Sequence, residues 1–285
     1  MTFAARAKLL NATRYTVLGL VAVIMLYPLF WMIAGIWRPN HEIFTSTGLI
    51  PSNPINGFDA IRNGWMIQGR GLQFYFFNTM RFLIPRVIGQ VVSCVLTAYA
   101  ITRFDFKGKK IVFSLVIATL LMPEVIFRIP MFMLFRDLNL LGTFAPLWLE
   151  ASFATGSFFV FMLIQYMRTI PKELDEAAKM DGCNALQTLV LILLPVMKPA
   201  IITVGLLTFM WGMNDFLGPQ IFIRDNNMWV MQQALRVASD ATGDTGVVWS
   251  EIFAISVASL LPAITLFFAA QRYFIDGIAS TGSKE

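Results

Sequence analysis

The chain has 285 residues, 57% of them apolar and only 14% charged. A water-soluble domain is nearer half apolar and a quarter charged, so with 26 Phe and 16 Met the composition indicates a protein that crosses a membrane several times. The net charge of +5 fits the Lys and Arg that membrane proteins collect in cytoplasmic loops. No basic run with interleaved aromatics is present, which argues against nucleic acid as a partner.

Crossing a bilayer takes about 20 apolar residues per helix, and six segments qualify. Residues 1–14 form a polar N-terminus with Arg6, Lys8 and Arg14, followed by a first span over 15–37. That run is too long for a signal-peptide core and no small-residue cleavage site follows it, so it reads as a retained span. A segment rich in Gly, Pro and Asn then leads to a second span, 78–101, and a third, 111–127. A fourth covers 147–166, a fifth 200–221 and a sixth 248–270, so the membrane domain is 15–270 and the tail 271–285.

Orientation follows from where the cations sit. Arg103, Lys107, Lys109 and Lys110 crowd the loop after the second span, and Arg168, Lys172, Lys179 and Lys198 lie between the fourth and fifth. With the N-terminal cations, and with Arg272 and Lys284 in the tail, these regions alternate correctly to share one side. Both termini and the segment 168–195 are therefore expected on the cytoplasmic side.

That segment, "TIPKELDEAAKMDG", has the chemistry of a helix start. Pro171 is followed by Glu173, Asp175 and Glu176, where acids complement the helix dipole. Ala177, Ala178, Lys179 and Met180 favour helix, and Gly182 suits the stop. A second helical stretch from Asn184 reaches Leu194-Pro195, where a kink is expected. A charged helix outside the membrane is either a solvated loop or a dock, and its small residues suit close approach by a partner.

The spacing Glu176-Ala177-Ala178, then Gly182, then Ile192-x-Leu194-Pro195 resembles the EAA signature of permease subunits in binding-protein-dependent ABC importers. Further stretches resemble the carbohydrate-type, maltose-permease-like branch. They include "GLIPSNP", "TAYAITRFDFKGKK", "LLMPEVIFRIPMFMLFRDLNLLGT", "FMWGMNDFLGPQIFI" and "QRYFIDGIAS", so the likeness runs along essentially the whole chain.

The resemblance implies an all-α permease fold of about six transmembrane helices with a cytoplasmic coupling helix. Its role would be to translocate a sugar or oligosaccharide across the bacterial cytoplasmic membrane by alternating access. Implied partners are a sister permease subunit, two ATP-binding cassette subunits and an extracytoplasmic solute-binding protein, with lipid around the spans. Glu176 would pair with a basic residue of the ATPase, Ala177 and Ala178 would allow close packing, and Gly182 would turn the chain. Asp181, Leu194 and Pro195 complete the implied coupling set.

The chain itself carries no GxxxxGK[ST]; "FKGKK" lacks the first Gly and the final Ser/Thr. ATP and Mg are thus expected on the partner ATPase subunits, with no cofactor or metal held here and no enzymatic role. Cys94 and Cys183 form neither a disulfide framework nor a zinc spacing, and His41 is the single histidine. A membrane-embedded enzyme would need a clustered acid, His or Cys set. An ion-coupled secondary transporter is the remaining rival, and it needs no ATPase dock.

Ionisable residues at membrane depth are the other candidates. Glu124 and Arg128 stand four apart, acid first, so an intrahelical pair is available; the alternative is a gate in a helix broken by Pro123 and Pro130. Arg81 fits a snorkelling role. Arg86 lies deeper, and with Arg128 it suggests an anionic substrate such as a uronate oligosaccharide or glycerol phosphate. Asn214 and Asp215 must pair or line a wet cavity, whether by bonding between spans or in the substrate path. Trp211 would stack on a sugar or simply pack.

Overall fold

The computed structural model describes residues 3–46, 48–240 and 248–282. Lys284 and the loop residues 241–247 lie outside the described residues. Among the described residues the fold is all-α apart from one hairpin. In chain order the elements are α1 (Phe3–Gly35), α2 (Asn40–Ile43), α3 (Gly57–Gly64), the antiparallel strands β1 (Met66–Ile67) and β2 (Arg70–Gly71), and α4 (Leu72–Arg103). There follow α5 (Lys109–Leu120), α6 (Val125–Asp137), α7 (Ala145–Leu149) with a 3-10 turn at Glu150–Phe153, and α8 (Ser157–Arg168). Next come α9 (Glu173–Met180), α10 (Ala185–Gln187), a π-helical turn at Thr188–Leu193, α11 (Leu194–Val196), α12 (Lys198–Met213) and α13 (Leu217–Phe222). The chain ends with α14 (Met231–Ser239) and α15 (Trp249–Gly282).

Four of these stretches are long and apolar enough to cross a bilayer: Leu10–Gly35, Leu72–Arg103, Ala145–Arg168 and Trp249–Arg272. Two more arise if each of two bent helix pairs is one span. They are Lys109–Leu120 with Val125–Asp137, bent by 109°, and Ala185–Val196 with Lys198–Met213, bent by 80°. The sequence suggests an unbroken third span over 111–127; instead it breaks at 121–124, where Pro123 has no N–H to give to the turn before it. The kink expected at Leu194-Pro195 falls slightly later, at Met197, between Pro195 and Pro199, after a π turn has already loosened the helix. α12 stops at Met213, well short of residue 221, because the chain turns at Asn214 and restarts as α13.

The chain divides into two compact units. The first comprises residues 1–72 and 235–260. Its small core joins Ile36, Ala60 and Ala254, drawn from the end of α1, from α3 and from α15. Glycines set how closely its pieces meet: a Cβ at Gly64 would lie 2.7 Å from the Glu251 carbonyl oxygen. The loop after α1 is tied internally. Buried Arg38 donates to the carbonyl oxygens of Ser46 and Gly48, and the Glu42 carboxylate accepts from the amides of Ser52 and Asn53. These amide bonds stabilise the ionised form and hold the Glu42 carboxyl below the usual carboxylate range.

The second unit, residues 73–234 and 261–285, holds two cores, both built on α4. One packs Cys94, Val95, Ala98 and Tyr99 of α4 against Phe159, Val160, Leu163, Ile164 and Met167 of α8. Leu189 and Leu193 of the π turn and Val204 of α12 close it. The other gathers Phe82 and Leu83 of α4 with Phe135, Leu147, Met213 and Phe222. α4 is therefore the central strut of this unit.

Candidate functional site

α9 is defined by its ends. Glu173, Asp175 and Glu176 fill its first turn, and the chain leaves through a Schellman motif. The Cys183 amide donates to the Ala178 carbonyl at 2.9 Å and the Gly182 amide to the Lys179 carbonyl at 3.0 Å. This closure requires Gly182 to stand at φ +83°, the left-handed region that only glycine enters freely. α10 then starts with a capping box in which Asn184 and Gln187 exchange side-chain to backbone hydrogen bonds. That box lies in "CNALQ" and is readable there by its Asn and Gln spacing.

The three first-turn acids have different environments. Asp175 turns inward, its Oδ2 3.0 Å from Nε of Arg103 at the end of α4, with the N–H not aligned for a hydrogen bond. Nη2 of Arg103 also donates to the Ile170 carbonyl at 3.1 Å. Glu173 borders a hollow of about 450 Å³ whose rim includes Arg103, Arg168 and Lys172. Glu176 is exposed, as are Ala177 and Met180. Ala178 departs from expectation: it is only 4% exposed and packs into its own chain, so it sets the seat of α9 and offers no surface to a partner. Asp181 is the exposed C-cap residue, Leu194 packs against the α4–α8 core, and Pro195 is exposed.

Within the membrane segments the structure joins two residues that the sequence singled out separately. Nη1 of Arg86 on α4 donates to Oδ2 of Asp215 at 2.9 Å, with side chains 23% and 10% exposed. The other Asp215 oxygen accepts from the Gly218 amide at 2.9 Å, so one carboxylate both ties α4 and shapes the turn between α12 and α13. Asn214 is used locally, donating to the Met210 carbonyl at 2.8 Å. Trp211 leans on Phe158 and Phe159, with centroids 5.7 and 5.0 Å away, and keeps half its surface open.

The pairing of Glu124 with Arg128 does not form. α6 begins at Val125, and Glu124 stands exposed as its N-cap with a backbone that is already helical. Arg128 instead approaches Glu150 at 4.0 Å. Arg81 donates to the Asn78 side chain, and Asn78 in turn donates to the carbonyls of Asn227 and Trp229. Among the described residues no group of three or more His, Cys, Asp or Glu is placed to hold a metal ion.

Among the described residues the chain thus combines apolar helices long enough to cross a bilayer, two bent helix pairs and one short charged helix. Residues 90–280 match the family described as binding-protein-dependent transport system inner membrane component, and the chain belongs to it. It is 31% identical to the probable ABC transporter permease protein YurM of Bacillus subtilis (strain 168), over 94% of this chain and 86% of that protein. It is 30% identical to the arabinooligosaccharides transport system permease protein AraQ of Halalkalibacterium halodurans, over 93% of each. In fold it is similar to a chain from the crystal structure of a bacterial ABC transporter involved in the import of the acidic polysaccharide alginate. The TM-score is 0.78 at 22% identity, covering 96% of this chain and 99% of that one. The chain is thus a multi-pass membrane subunit of an importer that works with ATPase and binding-protein partners.

Proposed function

We propose that this chain is one half of the membrane core of an ATP-driven importer of a sugar or oligosaccharide, paired with a sister permease. α9 is its dock for one of two ATPase subunits. The observation that carries this reading is the exposed Glu176 and Ala177 on a short helix closed by a Schellman motif and tied to α4 through Asp175. A carboxylate on so rigid a mount transmits displacement once a basic residue of the partner clamps it. Both termini and α9 lie on the cytoplasmic side, and ATP and Mg bind the partners. Closure of the ATPase pair favours one of two arrangements of the permease halves and hydrolysis returns the other, which alternates access to the cargo.

The relatives support the cargo class, since AraQ carries arabinooligosaccharides in its name. An acidic cargo is the narrower reading of Arg86 and Arg128. Each guanidinium already faces a carboxylate of the chain, Asp215 or Glu150, which an acidic cargo would have to displace. A neutral glycan needs no such displacement, and we favour it. Uptake by Arg86→Ala and Arg128→Ala separates the two: equal loss for a neutral and a uronate oligosaccharide excludes the acidic reading.

The dock is tested by Glu176→Lys. It should abolish co-purification of the ATPase subunit and uptake while the permease still inserts in the membrane. Retention of both would overturn the assignment of α9 as the dock.

A further inference from the structure

We infer that Arg103 and Asp175 form the joint through which the coupling helix moves the span α4, which makes Arg103 a positioning residue for transport. The inference rests on α9 being the ATPase dock. The last residues of α4 hold the docking segment at three places: Arg103 at the Ile170 carbonyl, Arg103 at the Asp175 carboxylate, and the Tyr99 hydroxyl at the Ala185 carbonyl, 2.9 Å away. These grips lie before, within and after α9. Beside them the Thr102 hydroxyl meets Sδ of Met167 at 2.7 Å, which binds the end of α8 into the same knot.

The distribution of charge singles this joint out. Of the three first-turn acids of α9, only Asp175 forms an ion pair among the described residues. The Arg103 and Asp175 side chains are 7% and 17% exposed, so water screens the pair weakly and it resists stretching. Breaking a pair at such depth strands a charge, which makes the two partners depend on each other.

The far end of the linkage is on the same helix. α4 runs without interruption from Arg103 back to Arg86, about 25 Å of α-helix at the usual rise per residue, and no proline intervenes. Arg86 there grips Asp215 at the turn between α12 and α13. One stiff rod therefore carries an ion pair to the dock at one end and an ion pair to a broken span at the other. Displacement of α9 moves α4 as a body, and the movement arrives at Asp215. A contiguous path does not by itself demonstrate coupling, so the joint must be cut and remade.

The experiment uses the whole importer, permeases with ATPase subunits in liposomes, with ATP and vanadate as the probe. Leu217→Cys, at an exposed position of α13, reports through its maleimide labelling rate in a Cys183→Ser background, Cys94 being buried. In the otherwise unaltered chain, ATP with vanadate should change the labelling rate. Arg103→Ala and Asp175→Ala should each shrink that change about tenfold while the ATPase subunit stays bound in a pull-down. The double variant should be no worse than either single one, and the exchanged pair, Arg103→Asp with Asp175→Arg, should restore the response. A full response in either single variant, an additive double, or an exchanged pair that stays silent would overturn the joint. If the single variants do not fold, the exchanged pair alone decides. Unchanged ATPase binding in Glu176→Lys would instead overturn the dock.

Discussion

Replacing Gly182 isolates the backbone contribution to the coupling segment. Its φ is +83°, and a Cβ built there meets nothing within 4 Å, so a substitution costs conformation and not space. An L-residue in the left-handed region costs about 1–2 kcal/mol. The stiffer unfolded chain of an alanine variant offsets about 0.4–1 kcal/mol of that. Gly182→Ala should therefore loosen the motif by about 1 kcal/mol, Gly182→Val by more because of its β-branch, and Gly182→Asn by less because Asn tolerates this region. About 1 kcal/mol multiplies the population of the opened turn by roughly fivefold. The amides that report it are those of Gly182 and Cys183, bonded to Lys179 and Ala178. Hydrogen exchange followed by mass spectrometry on a peptide covering 173–187 should quicken in the order Asn, Ala, Val, with the α8 amides unchanged as the internal control. Wild-type exchange in the valine variant would refute the claim that the turn is held in this conformation. Equal acceleration in α8 would show a global effect in place of a local one.

Two further outcomes follow from ion pairs and turns elsewhere. Asp215→Ala leaves Arg86 in a mostly buried site without its carboxylate and should lower stability in detergent by about 3 kcal/mol, whereas Arg86→Leu with Asp215→Leu should cost less than either single loss; thermal unfolding of the three variants checks this. The Glu42 carboxyl is depressed by the Ser52 amide, so its contribution to the loop is fully present above the usual carboxylate range and fades as pH falls through the lowered value. Proteolysis of the loop between Arg38 and Asn56 should therefore rise on acidification in the wild type, and Glu42→Gln should show the acid behaviour already at neutral pH.

What could be read from the sequence was local. The α9 segment announces itself because acids, helix formers and a terminal glycine fall within a dozen residues, and each acts on its own neighbours. Four of the six expected spans fall on helices long and apolar enough to cross a bilayer, since hydrophobic length is a property of a single run. The pairs were a different matter. Arg86 and Asp215 each drew notice as charges at depth, yet their joining spans 129 positions and depends on where α12 stops. Glu124 and Arg128 have ideal spacing, yet Arg128 turns to Glu150, a partner that spacing along one helix does not reveal.

Arg103 and Asp175 were hidden in another way. Each already had a sufficient local explanation, the one as a cytoplasmic cation and the other as an acid in a first turn. Each holds as far as it goes: Arg103 is the last residue of α4 and Asp175 lies in the first turn of α9. They stop short because a charge can satisfy a topological rule and a tertiary contact together, and only the tertiary contact needs one particular partner. The same overlap divides the alanines. Ala177 and Ala178 are equivalent as small helix formers, but on a helix adjacent residues point about 100° apart, so one is exposed and the other seats the helix. A motif read as a single surface thus has two sides: an outward one, Glu176 and Ala177, exposed and assigned by the proposal to the partner, and an inward one, Asp175 and Ala178, turned to the chain itself and assigned by it to the span. Substitutions in the first should weaken binding of the ATPase, and substitutions in the second should leave binding intact and weaken its consequence.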